Sequence, residues 1–188
     1  MPGKTETGRR NRWRSIGWSA AAALLVLPLI AMQVNDEFRW DAGDFLFLAL
    51  IIGFVGGIVE LTVRVTGSTA YRAAVAVALC AGALLIWING AVGLIASEDN
   101  PANQLYAAVL AVAVAVAFAT SFRAAGMMWA MAAAAAAQAL VPGVVALTGW
   151  STEPVNWPQV TGLTAFFVML WAIAAGLFRR AAEDQEPR

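Results

Sequence analysis

The sequence predicts an all-α polytopic membrane protein with six transmembrane helices and both termini in the cytoplasm. Of its 188 residues, 61% are hydrophobic and only 13% are charged, whereas an average soluble domain has roughly 45–50% apolar and roughly 25% charged residues. The apolar residues also fall in six stretches, each 19 to 24 residues long. A helix of about 20 residues crosses the hydrocarbon core of a bilayer, which is about 30 Å thick.

The first apolar stretch follows a basic run that ends at Arg14. A cleaved secretory signal is the alternative interpretation, but the segment LIAMQVND has no cleavage site of the small-x-small type. We therefore interpret this stretch as a span, preceded by a cytoplasmic tail at 1–14, and a second charged tail follows at 179–188. The predicted spans of the bundle, which covers 15–178, are 15–33, 44–63, 73–95, 101–121, 124–147 and 158–178.

The fourth stretch contains LYAAVLAVAVAVAF, an alternation of period two that is typical of a strand. In hydrocarbon a lone strand leaves its backbone groups unpaired at a cost of several kcal/mol each, whereas a helix pairs them internally. We therefore predict a helix. Asn100 and Pro101 mark its start, because an Asn side chain can accept from an early backbone N–H and a proline there loses no hydrogen bond.

Cationic residues divide unequally between the two sides of this topology. With the N-terminus inside, the inner segments carry eleven of the twelve Lys and Arg residues and five acidic residues, and the outer segments carry Arg39 and seven acidic residues. Positively charged loops resist translocation, so both termini are predicted to be cytoplasmic.

The residue types limit the chemistry that the protein can perform. There is no histidine, and Cys80 is the single cysteine, which excludes a disulfide framework, a His/Cys zinc site and a Ser–His or Cys–His nucleophile. We expect no catalytic residues, no cofactor, no metal site and no nucleic-acid partner. An enzyme that uses carboxylates alone is the weakest of three hypotheses.

Two amides lie within the predicted outer halves of spans, namely Asn89 and Gln138. An unpaired amide costs several kcal/mol in hydrocarbon, so both should face the bundle interior. At helical spacing Asn89 shares a stripe with Gly82, Ile86 and Gly93. We predict an outward-facing polar vestibule, and the alternative is interhelical hydrogen bonding below ordinary capped turns. The candidate residues are Asn89, Gln138, Asp41, Asp44, Glu98, Asp99 and Asn100.

The second span carries a candidate intramembrane ion pair. Glu60 precedes Arg64 by four residues, which is the favourable order for a pair on one helix. Its position near the cytoplasmic interface favours a structural pair over a role in ion or proton movement.

Two segments of the sequence are distinctive, NDEFRWDAGDF and WINGAVGLIASEDNPANQLY. They resemble segments of a family of small six-span bacterial inner-membrane proteins without an assigned function, and the resemblance covers most of the chain. It implies a location in the bacterial inner membrane and no particular activity. In length and topology alone, the chain is also similar to the substrate-binding subunits of energy-coupling-factor vitamin transporters. The matching positions are Trp40, Asp44, Phe45, Trp87, Ile88, Asn89, Gly90, Glu98, Asp99, Asn100, Pro101, Ala102 and Asn103.

The first functional hypothesis is binding or transport of a small solute or cation through the vestibule, with the lipid bilayer as the surrounding partner. The rival is a non-catalytic accessory or scaffold subunit that packs its Gly and Ala faces against other membrane subunits or against a second copy.

Overall fold

The computed structural model describes the backbone of residues 4–34 and 39–185, and side chains from residue 15 onward within those ranges. It confirms the all-α fold class, because the described residues form six α-helices and no strand. A 3₁₀ turn at Pro101–Asn103 leads into the fourth helix. The helices are α1 (Lys4–Val34), α2 (Ala42–Val65), α3 (Thr69–Ala91), α4 (Gln104–Ala119), α5 (Ala124–Thr148) and α6 (Trp157–Glu183).

Six helical segments are long and apolar enough to cross a membrane, and the fourth of them consists of α4 together with the 3₁₀ turn before it. The alternating Ala and Val residues of the fourth stretch lie in α4, so the helical interpretation of that stretch is confirmed. The chain is a multi-pass membrane protein by this criterion. The side on which its termini lie stays a prediction.

The chain divides into two compact units, which we call the N-terminal unit (Met1–Ile58) and the C-terminal unit (Val59–Arg188). In the N-terminal unit, the indole of Trp18 on α1 approaches Gly56 on α2. A Cβ atom at Gly56 would lie 3.1 Å from Trp18 Cη2, so a residue without a side chain allows this close approach.

The core of the C-terminal unit is formed by α3 to α6. Helix α5 packs along both α4 and α6, and α6 also packs along α3. The buried residues of α6 recur every three or four positions, which is the spacing of one helix face. Small residues on α5, such as Ala130 and Ala134, are fully buried and permit close packing of the helices. The buried face of α6 consists of Val160, Thr164, Phe167, Trp171, Ala174, Phe178 and Ala181.

Helix α3 differs from its sequence prediction in two respects. It ends at Ala91 rather than at Ile95, because Gly93 adopts a left-handed backbone with φ of 69°. Its interior face is also rotated from the predicted stripe: Leu85 is 1% exposed, whereas Ile86 is 41% exposed. Of the predicted stripe, Ile86 is exposed and Gly93 lies beyond the helix, whereas Gly82 faces Leu110 and Trp171 as an interior position should.

The connection between α2 and α3 is stabilised by Arg72. Its guanidinium donates from Nη2 to the carbonyl of Val63 at 2.9 Å and from Nε to the carbonyl of Thr66 at 2.9 Å. The last carbonyls of a helix lack partners within the helix, and Arg72 supplies donors to this helix end.

Candidate functional site

The connection after α3 is a folded segment rather than an open loop. Leu94 and Ile95 are fully buried, and Ala96 has a left-handed backbone with φ of 58°. The side chain of Asn103 organises this segment. Its Oδ1 accepts from the backbone N–H groups of Leu94 and Ile95 at 3.1 and 2.9 Å, and its Nδ2 donates to the carbonyls of Ile95 and Ser97 at 3.3 and 2.6 Å.

Two side-chain hydrogen bonds join this connection to the connection between α5 and α6. Asn100 Nδ2 donates to Ser151 Oγ at 2.9 Å, and Ser97 Oγ donates to Glu153 Oε1 at 2.6 Å. Asn100 also caps the 3₁₀ turn, because its Oδ1 accepts from the backbone of Ala102 at 3.1 Å. Asn100 is 2% exposed and acts here as a structural residue.

The other predicted vestibule residues of the connection between α3 and α4 differ in their surroundings. Glu98 and Asp99 are exposed at its tip. Asn89 is half-buried near the end of α3, and its Nδ2 donates weakly to the carbonyl of Asn103 at 3.4 Å. The Oδ1 atom of Asn89 is buried and has no hydrogen-bond partner.

Asp41 and Asp44 lie in the N-terminal unit, where they cap the start of α2. Asp41 Oδ1 accepts from the backbone N–H groups of Gly43 and Asp44 at 2.6 and 3.0 Å, and Asp44 Oδ2 accepts from the backbone N–H of Asp41 at 2.9 Å. This reciprocal arrangement satisfies early N–H groups of the helix, as a capping box does. Both carboxylates therefore have a local structural role.

Glu60 and Arg64 form the ion pair that their spacing suggests. Arg64 Nη2 and Nε donate to Glu60 Oε1 at 3.0 and 3.1 Å. The Arg64 side chain is 67% exposed, so this ion pair lies on the exposed side of α2.

Gln138 has surroundings unlike those of the other candidate residues. Its side chain is fully buried on α5, and neither Nε2 nor Oε1 has a hydrogen-bond partner. The interhelical hydrogen bond that the sequence left open as an alternative is therefore not made by Gln138. Leaving a buried donor or acceptor unpaired costs about 1–3 kcal/mol.

Three further buried polar groups share this property. Tyr106 Oη, Thr164 Oγ1 and Trp171 Nε1 are all buried without a hydrogen-bond partner. The hydroxyl groups of Tyr106 and Thr164 lie close enough to interact with each other, so this pair is less clearly unsatisfied than the amide of Gln138. Together with Asn89 and Gln138, these residues make up the set of buried polar groups without a partner in the C-terminal unit, which we call the buried polar cluster.

Helix register places Tyr106 and Gln138 at the same level of the unit. Tyr106 lies 13 residues before the end of α4 at Ala119, and Gln138 lies 14 residues after the start of α5 at Ala124. Because these helices pack against each other across a short turn and rise about 1.5 Å per residue, both residues lie about 20 Å from that turn.

The residues from α6 flank the same level. Gln138 lies ten residues before the end of α5, and Thr164 and Trp171 lie seven and fourteen residues after the start of α6. The indole of Trp171 also reaches α3, because a Cβ atom at Gly82 would lie 3.9 Å from Trp171 Cη2. The same Cβ atom would lie 3.7 Å from Leu110 Cδ2 of α4. Helices α3, α4 and α6 therefore meet beside Trp171.

Comparisons with protein-family models, with curated proteins and with solved structures found no match to this chain. Within residues 15–34 and 39–185, no group of three His, Cys, Asp or Glu side chains could hold a metal ion.

Sequence reasoning found Asn89 and Gln138 but overlooked Tyr106 and Thr164 as site residues. Trp171 was recognisable only as a tryptophan away from the predicted interfaces. The usable signal was the spacing on α6, where Thr164 and Trp171 occupy positions that otherwise carry apolar residues at intervals of three and four. A polar group on such a face is buried and requires a partner.

Proposed function

We propose that this protein binds a small polar solute in the core of its C-terminal unit and passes it to or from the outer side of the membrane. The observation that carries the proposal is Gln138, whose amide is fully buried with both polar atoms unpaired. Most buried polar groups in proteins have partners, so a cluster of unpaired ones calls for an explanation. A solute that pairs with these groups would recover the free energy that their burial costs.

Burial of the polar atoms of the cluster supports an occluded site rather than an open vestibule. Each unpaired atom exposes less than 1 Å², and the folded connection with Leu94 and Ile95 adjoins the outer end of α3 and α4. We propose that Asn89 lies on the route to this site and that Glu98 and Asp99 line the outer approach. Entry of the solute then requires the helices or this connection to move.

The proposed location is the bacterial cytoplasmic membrane, with both termini inside. The support is the asymmetry of eleven inner cationic residues against one outer cationic residue. The resemblance of the two distinctive segments to bacterial inner-membrane proteins supports the same location.

The test uses Gln138→Leu in the full chain, purified in detergent and screened for thermal stabilisation by a panel of small polar metabolites. Leucine has a similar volume and no polar atoms. The free energy of unfolding of the ligand-free variant should therefore exceed that of the wild type by about 1–3 kcal/mol, which appears as a higher unfolding temperature. The same variant should lose every stabilisation that a metabolite gives the wild type.

The matched control is Gln104→Leu, the same substitution at an exposed position at the start of α4. This control should keep the metabolite response. The proposal is wrong if no compound stabilises the wild type, or if the Gln138→Leu variant responds as the wild type does.

A scaffold subunit is the second candidate function, and one observation favours it. Gly162 and Gly176 lie on the exposed face of α6, where no atom of the C-terminal unit lies within 4 Å of a Cβ built at either position. Glycines on an exposed helix face allow close approach of another helix. Large substitutions there, such as Gly176→Leu, would separate the two functions, because they should disrupt a complex and leave solute binding unchanged.

A further inference from the structure

We propose that the solute of the buried polar cluster is uncharged and carries an N–H group next to a C=O group, as a primary or cyclic amide does. This inference rests on the proposed function, since it names the chemical class that the same site would accept. Two independent observations carry it, namely the charges of the helices around the site and the identity of the unpaired atoms.

The interior of α3 to α6 contains no charged side chain, and the two charged residues on the α2 segment of this unit, Glu60 and Arg64, pair with each other. The charged residues of these four helices are Arg72, Arg179, Arg180 and Glu183, and all of them lie in the first turn of α3 or the last two turns of α6. An ion that leaves water for such a region loses its hydration and gains no opposite charge, which is strongly unfavourable. The cluster therefore selects against both anions and cations.

The charged groups at the other end of the unit do not change this conclusion. Glu98, Asp99 and Glu153 are exposed in the outer connections, and Glu153 accepts a hydrogen bond from Ser97. Solvated carboxylates at the surface are screened by water and salt. They can attract a cation to the approach, but they provide no counter-charge beside Gln138.

The unpaired atoms of Gln138 define the hydrogen-bonding pattern of the ligand. A primary amide presents a donor and an acceptor side by side, at Nε2 and Oε1. An adjacent C=O and N–H on the ligand would satisfy both atoms at once. A carboxylate offers only acceptors and an amidinium offers only donors, so either ion would leave one atom of Gln138 unpaired.

Aromatic side chains surround this level of the unit. Tyr106, Phe167 and Trp171 are each at most 2% exposed and belong to the buried faces of α4 and α6. Flat rings of this kind pack well against other planar groups. A planar amide is therefore the appropriate probe of the site.

The test compares benzamide, benzoate and benzamidinium, which have nearly the same planar shape and differ in charge and in hydrogen-bonding groups. Thermal stabilisation of the full-length wild-type protein is measured against the concentration of each probe at neutral pH. We expect benzamide to stabilise the protein with an apparent affinity at least tenfold higher than that of either ion. The Gln138→Leu variant should lose the benzamide response, and the Gln104→Leu variant should keep it.

The inference is overturned if either ion stabilises the wild type as well as benzamide does, or if benzamide has no effect. These outcomes are distinguishable from failure of the proposed function. A charged metabolite that binds in a Gln138-dependent manner would leave the proposed function intact and refute the amide class. The absence of any Gln138-dependent ligand in the metabolite screen would refute both.

Discussion

Gly93 is a residue at which the connection between α3 and α4 accepts no side chain. Its backbone has φ of 69°, and a Cβ atom there would overlap the backbone carbonyl of Ser97 and lie 2.8 Å from Asn103 Nδ2. A left-handed backbone alone disfavours residues other than glycine. Overlap with backbone, rather than with a flexible side chain, cannot be relieved by a change of rotamer.

We expect Gly93→Ala to destabilise the protein by at least about 2 kcal/mol, since the backbone strain and the steric overlap add. The measurement is the melting temperature of the purified protein in detergent. Gly90→Ala is the control, because Gly90 lies in helical α3 with open space around its Cα; there alanine should stabilise by about 0.5–1 kcal/mol. Equal melting temperatures for the two variants would contradict this assignment of Gly93.

Among the helices and their connections, the segment after α3 depends most on a single side chain. Replacing Asn103 by Leu would remove four hydrogen bonds and leave the backbone N–H groups of Leu94 and Ile95 without the acceptor they now share. Each buried group left unpaired costs about 1–3 kcal/mol. The segment should therefore open while the four helices stay folded.

Hydrogen–deuterium exchange of the peptide that covers residues 92–100 measures this opening. We expect Asn103→Leu to accelerate exchange there by at least about tenfold, since 1.4 kcal/mol of local stability corresponds to that factor. Asn156→Leu is the control, because Asn156 is exposed and makes only long hydrogen bonds to Gln159: its Oδ1 accepts from the backbone N–H at 3.4 Å and its Nδ2 donates to Oε1 at 3.3 Å. Unchanged protection of the segment in the Asn103 variant would show that other contacts hold it.

The sequence predicted the helices well because hydrocarbon permits little else. Without water, backbone groups must pair within each span, so the alternating residues of α4 could form only a helix. The end of α3 was less predictable, since Leu94 and Ile95 are as apolar as the helix before them and are buried for a different reason. Only the contacts of Asn103 show that these residues pack in a folded connection.

The candidate site was predictable only in part for a similar reason. Polarity in an apolar span identified Asn89 and Gln138, but it could not show which of them would find a partner. Asn100 was predicted to cap the start of the fourth span and was also a candidate vestibule residue, and the structure shows a cap and a hydrogen bond to Ser151. The pairing of each polar atom depends on neighbouring helices, whose rotation the sequence does not fix.

In the C-terminal unit as a whole, the polar groups that the proposed binding site requires lower the free energy of unfolding. The outer connections are extensively hydrogen bonded, and most of the core is apolar and buried. The buried polar cluster is the exception, and its six unpaired atoms among the described residues lower the stability of the ligand-free protein. Such a cost is typical of a binding site, because groups that are satisfied within the protein have nothing to offer a ligand.

The orientation of the whole molecule decides which side of the membrane the site serves. Asp99 lies on the connection before α4 and Arg123 on the connection after it, and both are exposed. In a background with Cys80→Ser, which removes the exposed native thiol, we expect Asp99→Cys to react with a membrane-impermeant maleimide in intact cells. Arg123→Cys should react only after the cells are permeabilised, since the cationic segments are predicted to stay inside. The reverse pattern would invert the topology, and the solute would then have to approach the buried polar cluster from the cytoplasm.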